Sequence, residues 1–297
     1  MITTRPDYYD KFKCIADRCC DSCCIGWEID IDPETLAIYE KEDGELGEKL
    51  KNNIKDGSFL LTEEERCPFL KSDGLCELIC KKGEVFLCEI CSEHPRYYEY
   101  CGEHLDMGIG LCCEEACRLL FSDNKPLTFI TEGEADKDEE IDELLELRKE
   151  LIDKIQDEGN SLEELFFKLD EDIFELWDNF EPYDDRWSKT SAYIKENFDE
   201  LVSLKEEFDA YIGNRSYEYR RLAVYLLHRY FMRAFYSAPS VILHGISLYM
   251  KTQYLWDLYI YHTTGKFDLN DRIDTAKYIS KQIEYSEENI DMLLYGV

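Results

Sequence analysis

From about residue 126 onward the hydrophobic positions recur at helical spacing, and before it they do not. Ile141, Leu144, Leu145, Leu151, Ile152 and Ile155 fall on one stripe, which predicts an amphipathic helix. Ser161-Leu162-Glu163-Glu164 reads as a capping box opening a second helix, which carries Leu165, Phe166, Leu169, Ile173 and Leu176 and ends at Pro182. Further helices are predicted over about 190–211, 217–236, 240–262 and 271–294, separated by Gly213-Asn214, Pro239 and Gly265. Residues 1–125 show short apolar runs broken by turn signals such as Lys55-Asp56-Gly57 and Ser72-Asp73-Gly74. The expected fold is therefore mainly α, with an irregular N-terminal part (1–125) packed on a C-terminal α-helical bundle (126–297).

Composition leaves room for a packed core, since 44% of the 297 residues are hydrophobic and 13% aromatic. The chain starts without an apolar leader and contains no run of about 18 apolar residues, so a soluble, cytoplasmic protein is expected, with no membrane partner. The formal charge of −32 argues against nucleic acid, whose binding rests on Lys and Arg meeting phosphates. That charge is uneven: residues 1–131 carry −13, residues 132–185 carry −18 and residues 186–297 carry −1. The acidic segment 132–185 reads first as a solvated helical face, and second as a surface that attracts a lysine-bearing partner.

All fourteen cysteines lie between Cys14 and Cys117. A reducing compartment does not sustain a disulfide framework, and a chain of this length does not need one, so the cluster points to metal. The groups are Cys14, Cys19, Cys20, Cys23 and Cys24; Cys67 and Cys76, flanking the Asp73-Gly74 turn; Cys88 and Cys91, followed by His94-Pro95-Arg96; and Cys112, Cys113 and Cys117. A turn at Asp73-Gly74 brings Cys67 and Cys76 together. Tetrahedral zinc and a cubane iron-sulfur cluster both take four thiolates, so either fits this donor set, in one site or two. The C-x3-C-x2-C run of radical enzymes that cleave S-adenosylmethionine is absent, because Cys19-x3-Cys23, Cys76-x3-Cys80 and Cys113-x3-Cys117 are followed by Gly26, Gly83 and Leu120. Gly108-Ile109-Gly110 lacks the third glycine and the context of a dinucleotide loop.

Phe12-Lys13-Cys14-Ile15, Cys23-Cys24-Ile25-Gly26-Trp27, Cys67-Pro68-Phe69-Leu70, Leu75-Cys76, Gly83-Glu84, Cys91 through Pro95-Arg96, Cys113 to Leu120, and Ile279-Glu284 through Ser286-Asn289 occur in an order that resembles the flagellin lysine-N-methylase (FliB) family, a branch of the bacterial CxxCxxCC-type cysteine-cluster proteins. The resemblance covers nearly the whole chain and rests on the cysteine motifs. It implies methyl transfer from S-adenosylmethionine to lysine side chains of flagellin by a protein associated with an iron-sulfur cluster, 4Fe-4S in type, or zinc. Its cysteines fall at Cys14, Cys19, Cys23, Cys24, Cys67, Cys76, Cys91 and Cys113, the implied metal ligands, which leaves Cys20, Cys80, Cys88, Cys101, Cys112 and Cys117 as additions. His94 and Glu114 depart from the family pattern, where an aromatic residue and a proline are expected. A non-catalytic zinc, iron-sulfur or redox module that docks a partner protein is the alternative reading.

Arg96 and Arg118 stand beside implied ligand cysteines, as candidates to bind a cofactor carboxylate or stabilise a thiolate cluster. Arg221, Tyr225, Arg229 and Arg233 share one helical face; pairing with the acidic segment is the first reading and an anion site the second. Tyr249, Tyr254, Trp256, Tyr259 and Tyr261 are expected as aromatic core rather than as a cage around a cation. His228, His244 and His262 lack a second metal-type ligand at helical spacing and are expected to pack or lie at the surface.

Overall fold

The computed structural model describes residues 1–19, 23–161 and 168–296. It is mainly helical, with a four-stranded and a two-stranded sheet. The chain divides into two units, one of Met1–Phe12 with Tyr98–Val297 and one of Lys13–Tyr97. The division expected near residue 125 thus falls inside the larger unit, because residues 98–133 build a sheet with the chain start instead of forming loops.

In the larger unit, β1 (Ile2–Pro6) is an interior strand of that sheet. Numbering the strands along the chain, β2 and β3 (Ile54–Lys55 and Ser58–Phe59) form the two-stranded sheet of the smaller unit, and β4 (Arg96–Cys101), β5 (His104–Ile109) and β6 (Phe129–Gly133) complete the order β4-β5-β1-β6. β1 runs parallel to β5 with Ile2 opposite His104, and antiparallel to β6 with Ile2 opposite Gly133.

Helix Glu139–Gln156 begins where the Asp138 carboxylate accepts from the Glu140 and Ile141 amides at 3.1 and 3.2 Å. Ile141, Leu144, Ile152 and Ile155 are buried as the periodicity requires, while Leu145 and Leu151 are partly exposed. Arg148 shares the buried face, where its guanidinium forks onto the Asp106 carboxylate of β5. The capping box at Ser161-Glu164 and the positions Leu165 and Phe166 lie largely outside the described residues, and the helix that carries Ile173 runs only over Ile173–Asn179.

The helix predicted over 190–211 is three, Asp185–Glu196, Phe198–Ser203 and Lys205–Ile212, and that over 217–236 is Tyr217–Tyr230 followed by a tighter 3-10 turn, Phe231–Tyr236. The longest helix, Pro239–Thr264, carries Pro at its start and Gly265 in the left-handed region (φ 70°) at its end, the usual asymmetry of helix ends. It packs on Glu287–Tyr295 so closely that a Cβ at Gly245 would lie 2.6 Å from the Leu293 carbonyl oxygen. The last predicted helix is interrupted after Glu284, and Ser286 caps Glu287–Tyr295 through the Asn289 amide.

Tyr249, Tyr254, Trp256 and Tyr261 are buried, so this helix supplies aromatic core as expected. Between it and its neighbours lies a buried ionic network. Arg272 bonds Asp257, and its Nε donates to Glu218 at 3.1 Å. Asp257 also accepts from Tyr219 and Thr275 at 2.7 Å and from Gln253 at 3.0 Å. Such a set is tolerated inside a protein because its charges are paired and hydrogen-bonded.

The smaller unit is built of short pieces. Asp32 caps Pro33–Tyr39 by accepting from the Thr35 amide at 2.8 Å, and its other oxygen accepts from the Glu89 amide at 2.8 Å, which ties two distant segments together. Those bonds hold the Asp32 carboxyl below its ordinary range. Its core is Ile29, Ile31, Tyr39, Leu46, Leu50, Phe59, Phe69 and Leu78 together with Cys67 and Cys88.

Candidate functional site

The smaller unit gathers thiols around this core. Leu70 bridges Cys76 across the Ser72-Asp73-Gly74 turn, where Asp73 accepts from the Leu75 amide at 3.1 Å. The Cys67 amide donates to the Cys24 carbonyl at 2.7 Å, and Gly26 to the Glu65 carbonyl at 2.9 Å, which pairs the first cysteine group with the second. Cys24, Cys76 and Cys91 pack against the core that contains Cys67 and Cys88. Four of the eight implied ligands, Cys24, Cys67, Cys76 and Cys91, thus share one neighbourhood with Cys88.

Burial pushes the Cys67 thiol up to about 12 and raises Cys76, in each case with a further upward push from the Cys24 thiol. The Cys88–Cys91 contact is asymmetric: the hydrogen bond from Cys91 lowers Cys88 and holds the proton on Cys91. Each thiolate here would disfavour the next, so only a cation in their midst could hold several at once, and loading one would release protons. The donor chemistry suits a soft metal.

Among the described residues, no three His, Cys, Asp or Glu side chains converge closely enough to hold one metal ion. The metal-binding part expected from the sequence is therefore not confirmed among the described residues. Cys14 and Cys23 are exposed and Cys19 is partly so, Cys20 is outside the described residues, and Cys113 belongs to the larger unit. Cys88, read from sequence as an addition, is completely buried beside Cys91. The C-x2-C spacing was the signal for it.

Arg118 is engaged by carboxylates of its own helix, Glu114 at 2.7 Å and Glu115 at 3.2 Å, and Arg96 donates to the Ser92 carbonyl at 3.5 Å. The expected pairing with the acidic segment is not what the described contacts of Arg221, Arg229 and Arg233 show; they run to other segments. Arg221 donates to the Leu120 and Lys125 carbonyls, Arg229 to Glu284 at 2.8 Å and to the Tyr225 hydroxyl at 2.6 Å, and Arg233 to Glu99 at 2.9 Å. This face turns to segments nearer the chain's ends, and it is Arg220 that meets the acidic segment, donating to the Ile155 and Asn160 carbonyls at 2.6 and 2.8 Å. His228 is buried and donates to the Met107 carbonyl, His262 meets Tyr193 and Glu200, and His244 is exposed.

Residues 109–296 match the family model described as the FliB lysine N-methylase C-terminal domain. The chain belongs to the FliB lysine N-methylase family. The FliB region lies within the larger unit and excludes the thiol group between Cys24 and Cys91. Among FliB-related proteins, the flagellar biosynthetic protein FliU of Salmonella muenchen is 28% identical over 133 residues, 41% of this chain and 79% of the relative. The lysine-N-methylases of Salmonella typhimurium and Salmonella choleraesuis are 27% identical over 133 residues, again 41% of this chain but 33% of each relative. The match thus spans about a third of the length of these two methylases. No solved structure matches the chain. No helix among the described residues is long and apolar enough to cross a membrane.

Proposed function

We propose that this chain transfers methyl groups from S-adenosylmethionine to lysine ε-amino groups of a protein, with flagellin as substrate. The observation that carries the reading is the match of residues 109–296 to the lysine N-methylase family. FliU, a flagellar biosynthetic protein by name, adds the flagellar association.

The chemistry sets two demands. The ε-amine attacks only as the neutral base, so a lysine with an ordinary value near 10.4 must first lose its proton. Its nitrogen must then lie in line with the methyl–sulfur bond at about 3–3.5 Å; the nitrogen–carbon bond forms as the carbon–sulfur bond breaks, and the neutral thioether leaves. The −18 of residues 132–185 supports this reading as an attractive field for a lysine-rich substrate. An iron-sulfur cluster or zinc belongs to the proposal through Cys24, Cys67, Cys76 and Cys91, whose role would be to consolidate the smaller unit; the transfer itself is derived without it.

The test is anaerobic purification with metal and sulfide analysis, followed by incubation of the same preparation with S-adenosylmethionine and flagellin under mass spectrometry. Flagellin should gain mass in single-methyl steps on lysine, and faster at low salt than at high salt. Flagellin of unchanged mass, with the donor unconsumed, overturns the reading.

A further inference from the structure

The larger unit holds a cavity of about 200 Å³ whose lining includes Glu99, Tyr100, Arg229, Met232, Arg233 and Tyr236. Its charges are set in a particular order. Arg233 and Glu99 form an ion pair at 2.9 Å, and both side chains stay accessible, at 29% and 26%. Arg229 is fixed from behind by Glu284 at 2.8 Å and by the Tyr225 hydroxyl at 2.6 Å, neither of which lines the cavity. Both guanidiniums lie 5.3 Å from the centre of the Tyr230 ring. The rim is equally particular: Tyr236 at 74% and Tyr100 at 63% are the two most exposed aromatic side chains among the described residues, and both border this one cavity.

Two guanidiniums and one carboxylate select among ligands. A simple anion would meet Arg229 and Arg233 but be repelled by Glu99, whereas a simple cation, such as a lysine ammonium, would meet Glu99 against two positive charges. A zwitterion satisfies both sides, exchanging the Arg233–Glu99 pair for carboxylate on arginine and ammonium on glutamate. The volume is smaller than the 300–1,000 Å³ or so of sites that enclose a whole drug-sized ligand, so it suits one end of a molecule. What emerges would pass between Tyr100 and Tyr236, whose rings can stack on a base or cover a cation.

We propose that this cavity binds the zwitterionic α-amino-acid end of a ligand, and that the ligand is S-adenosylmethionine, held by its methionyl group. The choice of that ligand rests on the methyl-transfer reading above, while the zwitterion site rests on the cavity alone. Arg233 and Glu99 grip the amino-acid end, Met232 lies along its chain, and the two exposed tyrosines receive the remainder.

The experiment is equilibrium dialysis of the full chain against S-adenosylmethionine, L-methionine and adenosine, in parallel with the flagellin assay. Arg233→Gln and Tyr236→Ala should each weaken S-adenosylmethionine binding at least about tenfold, roughly the contribution of one charge-assisted contact. L-methionine should compete, and Tyr211→Ala, an exposed tyrosine outside the cavity, should bind as the parent does. Tyr236 is mostly solvent-exposed, so its variant folds and keeps the test valid if Arg233→Gln does not. Unchanged affinity in Tyr236→Ala and in a folded Arg233→Gln overturns the site and leaves methyl transfer standing. Binding of L-methionine without S-adenosylmethionine keeps the amino-acid site and removes the donor assignment. No binding of either by the parent chain overturns the proposal.

Discussion

The two units of this chain solve the problem of burial differently. Lys13–Tyr97 has short elements around a small core in which two of the ten buried members are thiols, whereas the larger unit has long helices around an aromatic core threaded by buried ion pairs. Small domains bury a lesser fraction of their surface and are correspondingly marginal, so the smaller unit is the one that stands to gain from a ligand drawing its thiols together. The larger unit achieves its order through paired charges, each of which is costly once its partner is gone.

The sharpest way to break this contrast is at Arg272. Arg272→Met leaves Asp257 and Glu218 buried without their shared cation and should cost about 3–5 kcal/mol in urea denaturation. A loss below about 1 kcal/mol would show that the network is not what holds the larger unit. In the smaller unit the matching test is Phe69→Ala, a fully buried ring whose removal should cost about 3–5 kcal/mol. Proteolysis should then cut within residues 13–97 and spare the larger unit; simultaneous digestion of both would mean that the two do not melt separately.

Gly245→Ala tests how tightly the larger unit is packed. Its new methyl would press on the backbone of Leu293 and Leu294, so a destabilisation of about 1–3 kcal/mol is expected by thermal melting. The smallest effect concerns pH. Burial holds His228 below its ordinary value of 6.5, with Asp106 opposing and Arg148 reinforcing the shift. The unfolded chain takes up a proton as pH falls through 6.5 while the folded chain does not, so this stabilisation is complete above 6.5 and declines below it. Urea midpoints measured from about pH 5 to 8 should rise with pH, and His228→Gln should flatten that rise; an identical slope in both proteins would assign it elsewhere.

What the sequence disclosed follows from the reach of its signals. Periodicity reports which side chains face inward, and it placed Ile141, Leu144, Ile152 and Ile155 correctly, but it took no account of Arg148 on the same face because the compensating charge, Asp106, is 42 residues away. The sheet was missed for the same reason: β1 has partners near residues 104 and 131, and nothing within its own five residues announces them. The 240–262 helix was legible because Pro239 and Gly265 mark its ends locally. Among the cysteines, grouping by turn and spacing brought Cys67 towards Cys76 and flagged Cys88 with Cys91, but which group meets which depends on the pairing of Cys24 with Cys67, again a long-range contact.

The position of β1 has one more consequence. Because Ile2 pairs with His104, the sheet of the larger unit can form only after a loop of about a hundred residues has closed, and that loop contains the entire smaller unit. Closing so long a flexible loop costs about 4 kcal/mol of chain entropy on a simple logarithmic scaling. If Lys13–Tyr97 collapses first, less of that loop remains as free chain, and the entropic cost of closing it falls. Order of assembly then becomes a function of the cysteine-rich insert: how readily Lys13–Tyr97 folds sets how fast the helical unit acquires its sheet, even where that insert takes no part in what the finished protein does.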